Sequence, residues 1–295
     1  DSLYILLPYH VLDVYDRFAF AEVVAFIWFP LLFLYAARIA RGSPMAWLGL
    51  TLGYLGLLLT HLVTAYMVLF VLVPYGVWMT LREDAWRRVG VMAGSGVLAL
   101  WIASVFLVPV VFERDRVHLD CIAGGARVEA ATGAEWCRNF EPARSFLYRD
   151  EVDFGYRRAP IKPWVSRATA GQGGLALVAA ALLFLPGLRL ISGASDLRGR
   201  RLRSEALAQL GLVLWAWFLQ TPQSEWLWGL VPGMGAVQFP WRFSAFQLLA
   251  AAFLVATALT PEMSAPRRVV AVGILLVAAL PALWTSVSVT DRRPY

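Results

Sequence analysis

The residues best suited to chemistry stand at the borders of long apolar runs. The first group is His10-Val11-Leu12-Asp13-Val14-Tyr15-Asp16-Arg17, with Glu22 just beyond it. Asp13 and Asp16 are three apart, so on a helix they share a face. Carboxylates in that arrangement can position a divalent metal ion or take a proton from a reacting hydroxyl. Asp13, Asp16 and Glu22 are therefore the candidate catalytic acids, with His10 and Arg17 as candidate substrate contacts. A plainer reading of the same residues is a helix start, where acids suit the N-terminus and Arg17 pairs with them. Glu22 sits at or just inside an apolar boundary, where an acid is expensive and takes a partner.

Two further groups follow. Thr60-His61, with Thr64 one turn on, falls between two apolar runs. A His there can hydrogen-bond a ligand or pass a proton, or simply be a polar turn residue in headgroup water. Gln238-Phe239-Pro240-Trp241-Arg242-Phe243 follows a Trp-rich stretch broken by Gly229, Pro232 and Gly233. Arg242 offers a fixed fork of donors at a helix start, which suits a phosphate. Gln238 and Trp241 would line the same substrate site. The alternative is an interfacial anchor of Trp and Arg at a membrane edge.

A metal site at Cys121 and Cys137 is the least favoured reading, since no further Cys lies at ligand spacing and His118 alone adds too little. The acidic group leaves a divalent metal ion as a candidate cofactor and names none. Cys121 and Cys137 can close a disulfide in an oxidising compartment, and two free thiols are the alternative. A loop of about 15 residues gains roughly 3 kcal/mol from closure.

What must position these groups is a set of apolar segments. They run over residues 22–40, 45–60, 64–81, 89–112, 173–191, 206–220, 243–260 and 269–289. Most approach the roughly 20 residues that cross about 30 Å of hydrocarbon, and in lipid such runs are helices. Hydrophobic residues are 59% of the chain and charged residues 16%, against about 25% charged in a soluble domain; mean hydropathy is +0.62. The expectation is an all-α integral membrane protein of about eight transmembrane helices plus one external loop domain. Gly49-x-x-x-Gly53 and Gly90-x-x-x-Gly94 offer small faces for close helix approach, within one bundle or between two copies.

The net charge of +6 is spread between apolar runs with no continuous stripe, which argues against nucleic acid and for membrane lipid as the partner. If residues 1–21 lie outside, the short inside loops hold twelve of the 26 Lys and Arg residues and the short outside pieces four. That bias puts both ends of the chain on the outer side. The remaining ten lie in residues 113–170, a segment long enough to cross whatever its charge. Three parts result: an N-terminal membrane part, 1–112, an extracytoplasmic loop or cap, 113–170, and a C-terminal membrane part, 171–295, with an external re-entrant segment at 222–242. The start at Asp1 and the abrupt end read as a fragment of a larger protein.

Three segments also carry a family resemblance. They are residues 2–22, beginning Ser2-Leu3-Tyr4-Ile5-Leu6-Leu7-Pro8-Tyr9, then Leu57-Leu58-Leu59-Thr60-His61-Leu62-Val63-Thr64-Ala65, then Val237-Gln238-Phe239-Pro240-Trp241-Arg242-Phe243. In this order they resemble segments of the bacterial membrane proteins described as 6-pyruvoyl-tetrahydropterin synthase-related, which are similar to GT-C membrane glycosyltransferases. Nothing in the chain resembles a soluble pterin enzyme. The resemblance implies a multi-pass protein of the bacterial plasma membrane, with a lipid-phosphate groove among its helices and a polyprenyl-phosphate sugar as donor at the outer face. In GT-C enzymes the key acid usually lies in the first external loop, which would precede Asp1. Asp13, Asp16 and Glu22 would then be secondary, orienting an acceptor or a metal.

Two other classes fit the same bundle. A lipid or polysaccharide transporter should carry polar groups within its spans, and the apolar runs read as nearly clean apart from small residues. A non-catalytic membrane scaffold would tolerate neutral residues at Asp13, Glu22 and Arg242.

Overall fold

The computed structural model describes residue 13 and residues 19–113, 151–153, 158–160, 197–237 and 240–258. His10, Asp16, Arg17, Cys121, Cys137 and Gln238, and the apolar runs 173–191 and 269–289, lie outside the described residues. The fold is mostly helical. Three helices are long and apolar enough to cross a membrane: Phe20–Ala40, Leu62–Arg82 and Arg88–Val110. Ala46–Thr60 and Ser244–Leu254 are apolar but shorter. These helices fit a multi-pass membrane protein. The chain divides into two compact units.

The first unit comprises Ala21–Phe140 and Gln223–Pro240. Its lead-in helix α1 (Phe20–Ala25) meets α2 (Trp28–Ala40) across a break at residues 26 and 27. Then come α3 (Ala46–Thr60), α4 (Leu62–Arg82) and α5 (Arg88–Phe112). Helix α3 lies against both α2 and α5, and α4 packs chiefly on α2. Glycines set the α2–α3 approach. A Cβ at Gly49 would stand 2.3 Å from the Tyr35 ring, and one at Gly56 would stand 2.5 Å from the Trp28 indole. Close seating of this kind stands in for the hydrophobic driving force that lipid does not supply between helices.

The small face of α5 does something else. Nothing lies within 4 Å of a Cβ built at Gly90 or Gly94, and Trp101 and Val105 stand exposed along the same helix. An apolar helix that keeps most of its side chains outward suits a lipid-facing position.

The loops of the α2–α5 set close at one end with matched geometry. After α2, Ser43 N–H donates to the Arg38 carbonyl at 2.9 Å and Gly42 N–H to Ile39 at 2.9 Å. After α4, Ala85 N–H donates to Thr80 at 2.8 Å and Asp84 N–H to Leu81 at 3.3 Å. Both are Schellman ends, which need a left-handed residue just past the helix. Gly42 takes φ +84° without cost, whereas Asp84 takes φ +51° with a Cβ to accommodate.

Arginines finish the same end. Arg88 donates to the Ala40 carbonyl, and Arg41 Nε lies 3.8 Å from Glu83 Oε1. The Arg82 guanidinium sits 4.4 Å over the Trp78 ring. Cations at helix C-termini also oppose the helix dipole.

The second unit comprises Asp1–Phe20, Glu141–Pro222 and Trp241–Tyr295. Of the loop segment 113–170 it holds a short antiparallel ladder, β1 (Glu151–Asp153) on β2 (Arg158–Pro160), with Val152 opposite Ala159. Its main described packing is α6 (Leu197–Phe218) against α8 (Ser244–Ala258). Helix α6 begins inside the arginine-rich stretch read from sequence as a loop, so it extends well before the apolar run at 206–220. Chain between α6 and α8 is broken by three 3-10 turns, Pro222–Ser224, Met234–Val237 and Pro240–Phe243. A short helix α7 (Glu225–Leu230) and a turn at Gly233, φ +81°, lie among them.

Candidate functional site

In the first unit the candidate residues gather at the end opposite the arginines. Helix α1 carries Glu22, only 3% exposed. A carboxylate so enclosed needs compensation, and Glu22 has an interaction within the fold. After the break, the Trp28 indole N–H donates to the Thr60 hydroxyl at 3.1 Å, and that hydroxyl donates to the Gly56 carbonyl at 2.6 Å. These bonds pin the start of α2 to the end of α3.

His61 joins α3 to α4 as a double cap. Its backbone is extended (φ −155°, ψ 101°), and its N–H closes α3 on the Leu57 carbonyl at 2.9 Å. Its Nδ1 accepts from the Thr64 backbone N–H at 3.2 Å and lies 2.7 Å from the Thr64 hydroxyl. That is the N-cap pattern more often made by Ser or Asp. A ring nitrogen accepting from an amide carries no proton, so the neutral ring holds its proton on Nε2. The capping role takes Nδ1, and any chemistry beyond the cap falls to Nε2.

One turn into α4, the Tyr66 hydroxyl donates to the Pro232 carbonyl at 2.7 Å. The Tyr66 ring also lies beside Gly233, its Cζ 3.7 Å from where a Cβ would be. The broken segment of residues 223–237 is thereby tied to the His61 end of the first unit.

In the second unit the 3-10 turn Pro240–Phe243 delivers Arg242 to the start of α8. Phe243, fully buried, anchors the turn and meets the Phe246 ring at 6.0 Å between centroids. Arg242 is half-buried and interacts within the fold. Of Trp241 the backbone alone is described. Asp13 is fully buried, accepts from Ala19 N–H at its carbonyl at 2.9 Å, and also interacts within the fold.

Beside Arg242 lies a polar chain that the sequence reading missed. The Ser244 hydroxyl donates to Gln220 Oε1 at 2.8 Å. Gln220 Nε2 donates to the Ala216 carbonyl at 2.8 Å and to Gln247 Oε1 at 3.1 Å. Gln247 Nε2 is buried and makes no hydrogen bond among the described residues. Together with buried Gln209 on α6, these amides correct the expectation that the runs at 206–220 and 243–260 are clean of polar groups. The signal was present: Gln209 and Gln247 are long amides inside otherwise apolar runs.

Among the described residues no group of three His, Cys, Asp or Glu side chains could hold a metal ion. The described residues thus hold two separate sets of groups: Glu22, Thr60, His61 and Thr64 in the first unit, and Arg242, Ser244, Gln220 and Gln247 in the second. No family profile matches the chain, and neither does any curated protein or solved structure at a significant level.

Proposed function

We propose that this chain is part of a GT-C-like membrane glycosyltransferase of the bacterial plasma membrane, with about eight spans, both chain ends outside, and a polyprenyl-phosphate-linked sugar as donor at the outer face. The observation that carries the reading is Arg242. It is a permanent cation held by a 3-10 turn at the start of an apolar helix, next to buried neutral donors. A lipid-linked phosphate needs such a group at the membrane border, and a guanidinium binds it through two parallel hydrogen bonds.

In the reaction an acceptor hydroxyl oxygen bonds to the anomeric carbon of the sugar. The bond from that carbon to the phosphate oxygen breaks, and polyprenyl phosphate leaves with its electron pair. A carboxylate takes the hydroxyl proton. Arg242 offsets the negative charge that grows on the departing phosphate. Asp13 and Asp16 serve as orienting acids in this scheme.

The test is transfer from radiolabelled polyprenyl-phosphate sugars by the protein in nanodiscs. Wild type should transfer, Arg242→Ala should lose about a hundredfold or more, and Arg242→Lys should recover part of it, because a point charge replaces one arm of the fork. Neither transfer nor donor-lipid binding by wild type would end the enzyme reading. One observation favours a second reading, a lipid or polysaccharide transporter: the buried amides Gln209 and Gln247 put polar groups inside apolar helices. Movement of unlabelled lipid-linked sugar across vesicles without bond cleavage would support it.

A further inference from the structure

The polar chain at the start of α8 has a direction. Ser244 gives its proton to Gln220 Oε1, which turns the Gln220 amide nitrogen towards Ala216 and Gln247. Gln220 in turn occupies Gln247 Oε1, so the Gln247 nitrogen faces away from the chain. Rotating the Gln247 amide by half a turn would set two NH2 groups against each other, so the orientation is determined by its neighbours. The chain therefore ends in an unused donor, on a side chain only 3% exposed. Donors earlier in such a chain polarise the last one and strengthen it. An unpaired amide donor inside an apolar helix pair is costly unless an acceptor arrives.

We infer that Gln247 is a ligand-binding residue whose Nε2 donates to a hydroxyl oxygen of the donor sugar; this rests on the lipid-linked donor proposed above. The chemistry favours a sugar hydroxyl over the phosphate. A neutral amide in a low-dielectric setting pairs well with a neutral oxygen, and Arg242 already supplies the positive charge. None of the sequence motifs includes Gln247, Gln220 or Ser244.

The test measures binding of two probes to the protein in nanodiscs: undecaprenyl phosphate and undecaprenyl-phosphoryl-glucose. Gln247→Glu keeps the oxygen that Gln220 uses and replaces the unused donor by an acceptor. Gln220→Leu removes the tie between helices and keeps the Gln247 donor. The expected result is a loss of about tenfold or more for the glucosylated lipid in Gln247→Glu, with undecaprenyl phosphate bound as in wild type. Gln220→Leu should lower thermal stability and weaken the glucosylated lipid less than Gln247→Glu does. Unchanged binding of both probes in Gln247→Glu overturns the inference and leaves the amides as a tie between α6 and α8. Equal weakening of both overturns the assignment to the sugar. Failure of the wild-type protein to bind either probe, or full retention of undecaprenyl phosphate by Arg242→Ala, overturns the donor-lipid reading itself.

Discussion

Tyr35 occupies the space that a side chain at Gly49 would need. The ring carbon lies 2.3 Å from the position of the missing Cβ, so α2 and α3 touch where one of them has no side chain. Trp28 does the same over Gly56 at 2.5 Å and then spends its indole N–H on Thr60. The contact is steric in the middle of the pair and polar at its His61 end.

Gly49→Ala should cost about 1–3 kcal/mol through overpacking. Gly94→Ala, on the open face of α5, should be neutral or stabilise by up to about 1 kcal/mol, because a helical glycine gives way to a better helix former. Thermal unfolding in one detergent compares them directly. Equal losses at both sites would mean that α5 packs its small face on something within the folded protein.

Asp84→Gly should raise stability by about 1 kcal/mol. The Asp84 backbone is left-handed at φ +51°, and glycine adopts that conformation without the Cβ clash. Gly42→Ala should do the reverse, since its Cβ would be strained at φ +84° and stand 2.8 Å from the Arg88 guanidinium. A melting temperature that falls for Asp84→Gly would show that the Asp84 side chain holds the turn.

His61→Ala should destabilise by about 1 kcal/mol through loss of the cap on α4. His61→Asn can accept from Thr64 N–H and should recover most of that stability. If the asparagine variant is stable and sugar transfer still falls, the imidazole Nε2 takes part in the reaction. Full recovery of both would leave His61 as a cap alone.

Tyr66→Phe removes the bond to the Pro232 carbonyl. The expected outcome is faster amide hydrogen exchange across residues 223–237, with α3 and α4 unchanged. Exchange that stays at wild-type rates would show that contacts of α4 with the Met234–Val237 turn hold the segment without this bond.

How far the fold was legible depends on what set each piece. Apolar length alone picked out 22–40, 64–81 and 89–112, because a helix is the lone-standing way to satisfy a backbone in lipid. It did not foresee the break at Phe26-Ile27, although Pro30 marks it: proline has no N–H to give the Phe26 carbonyl, and its ring crowds that oxygen. It also placed the start of α6 late, since Arg198, Arg200, Arg201 and Arg203 read as a loop although arginine is a good helix former. At the site, Arg242 and His61 stood out as charged or titratable residues at run borders. The dual capping by His61 depends on the angle between α3 and α4, which no spacing encodes. Gln220 and Gln247 lie 27 residues apart, so their bond appears once α6 and α8 are packed.

Arg88 closes the end of α2 from a position 48 residues later in the chain. At synthesis rates of about 5–20 residues per second, roughly 2–10 s pass between the making of the Ala40 carbonyl and the arrival of its donor. Helices α3 and α4 are completed in that interval, so until then the first hairpin is held without Arg88, by contacts that include Trp28 over Gly56, Leu32 at Gly53 and Tyr35 over Gly49. A cysteine at Ser43 should label faster in a nascent chain arrested after Arg82 than in one that has passed residue 112. Helix α5, the last of the three long helices, then acts as the stopper that finishes the first, and assembly of this unit has a built-in order.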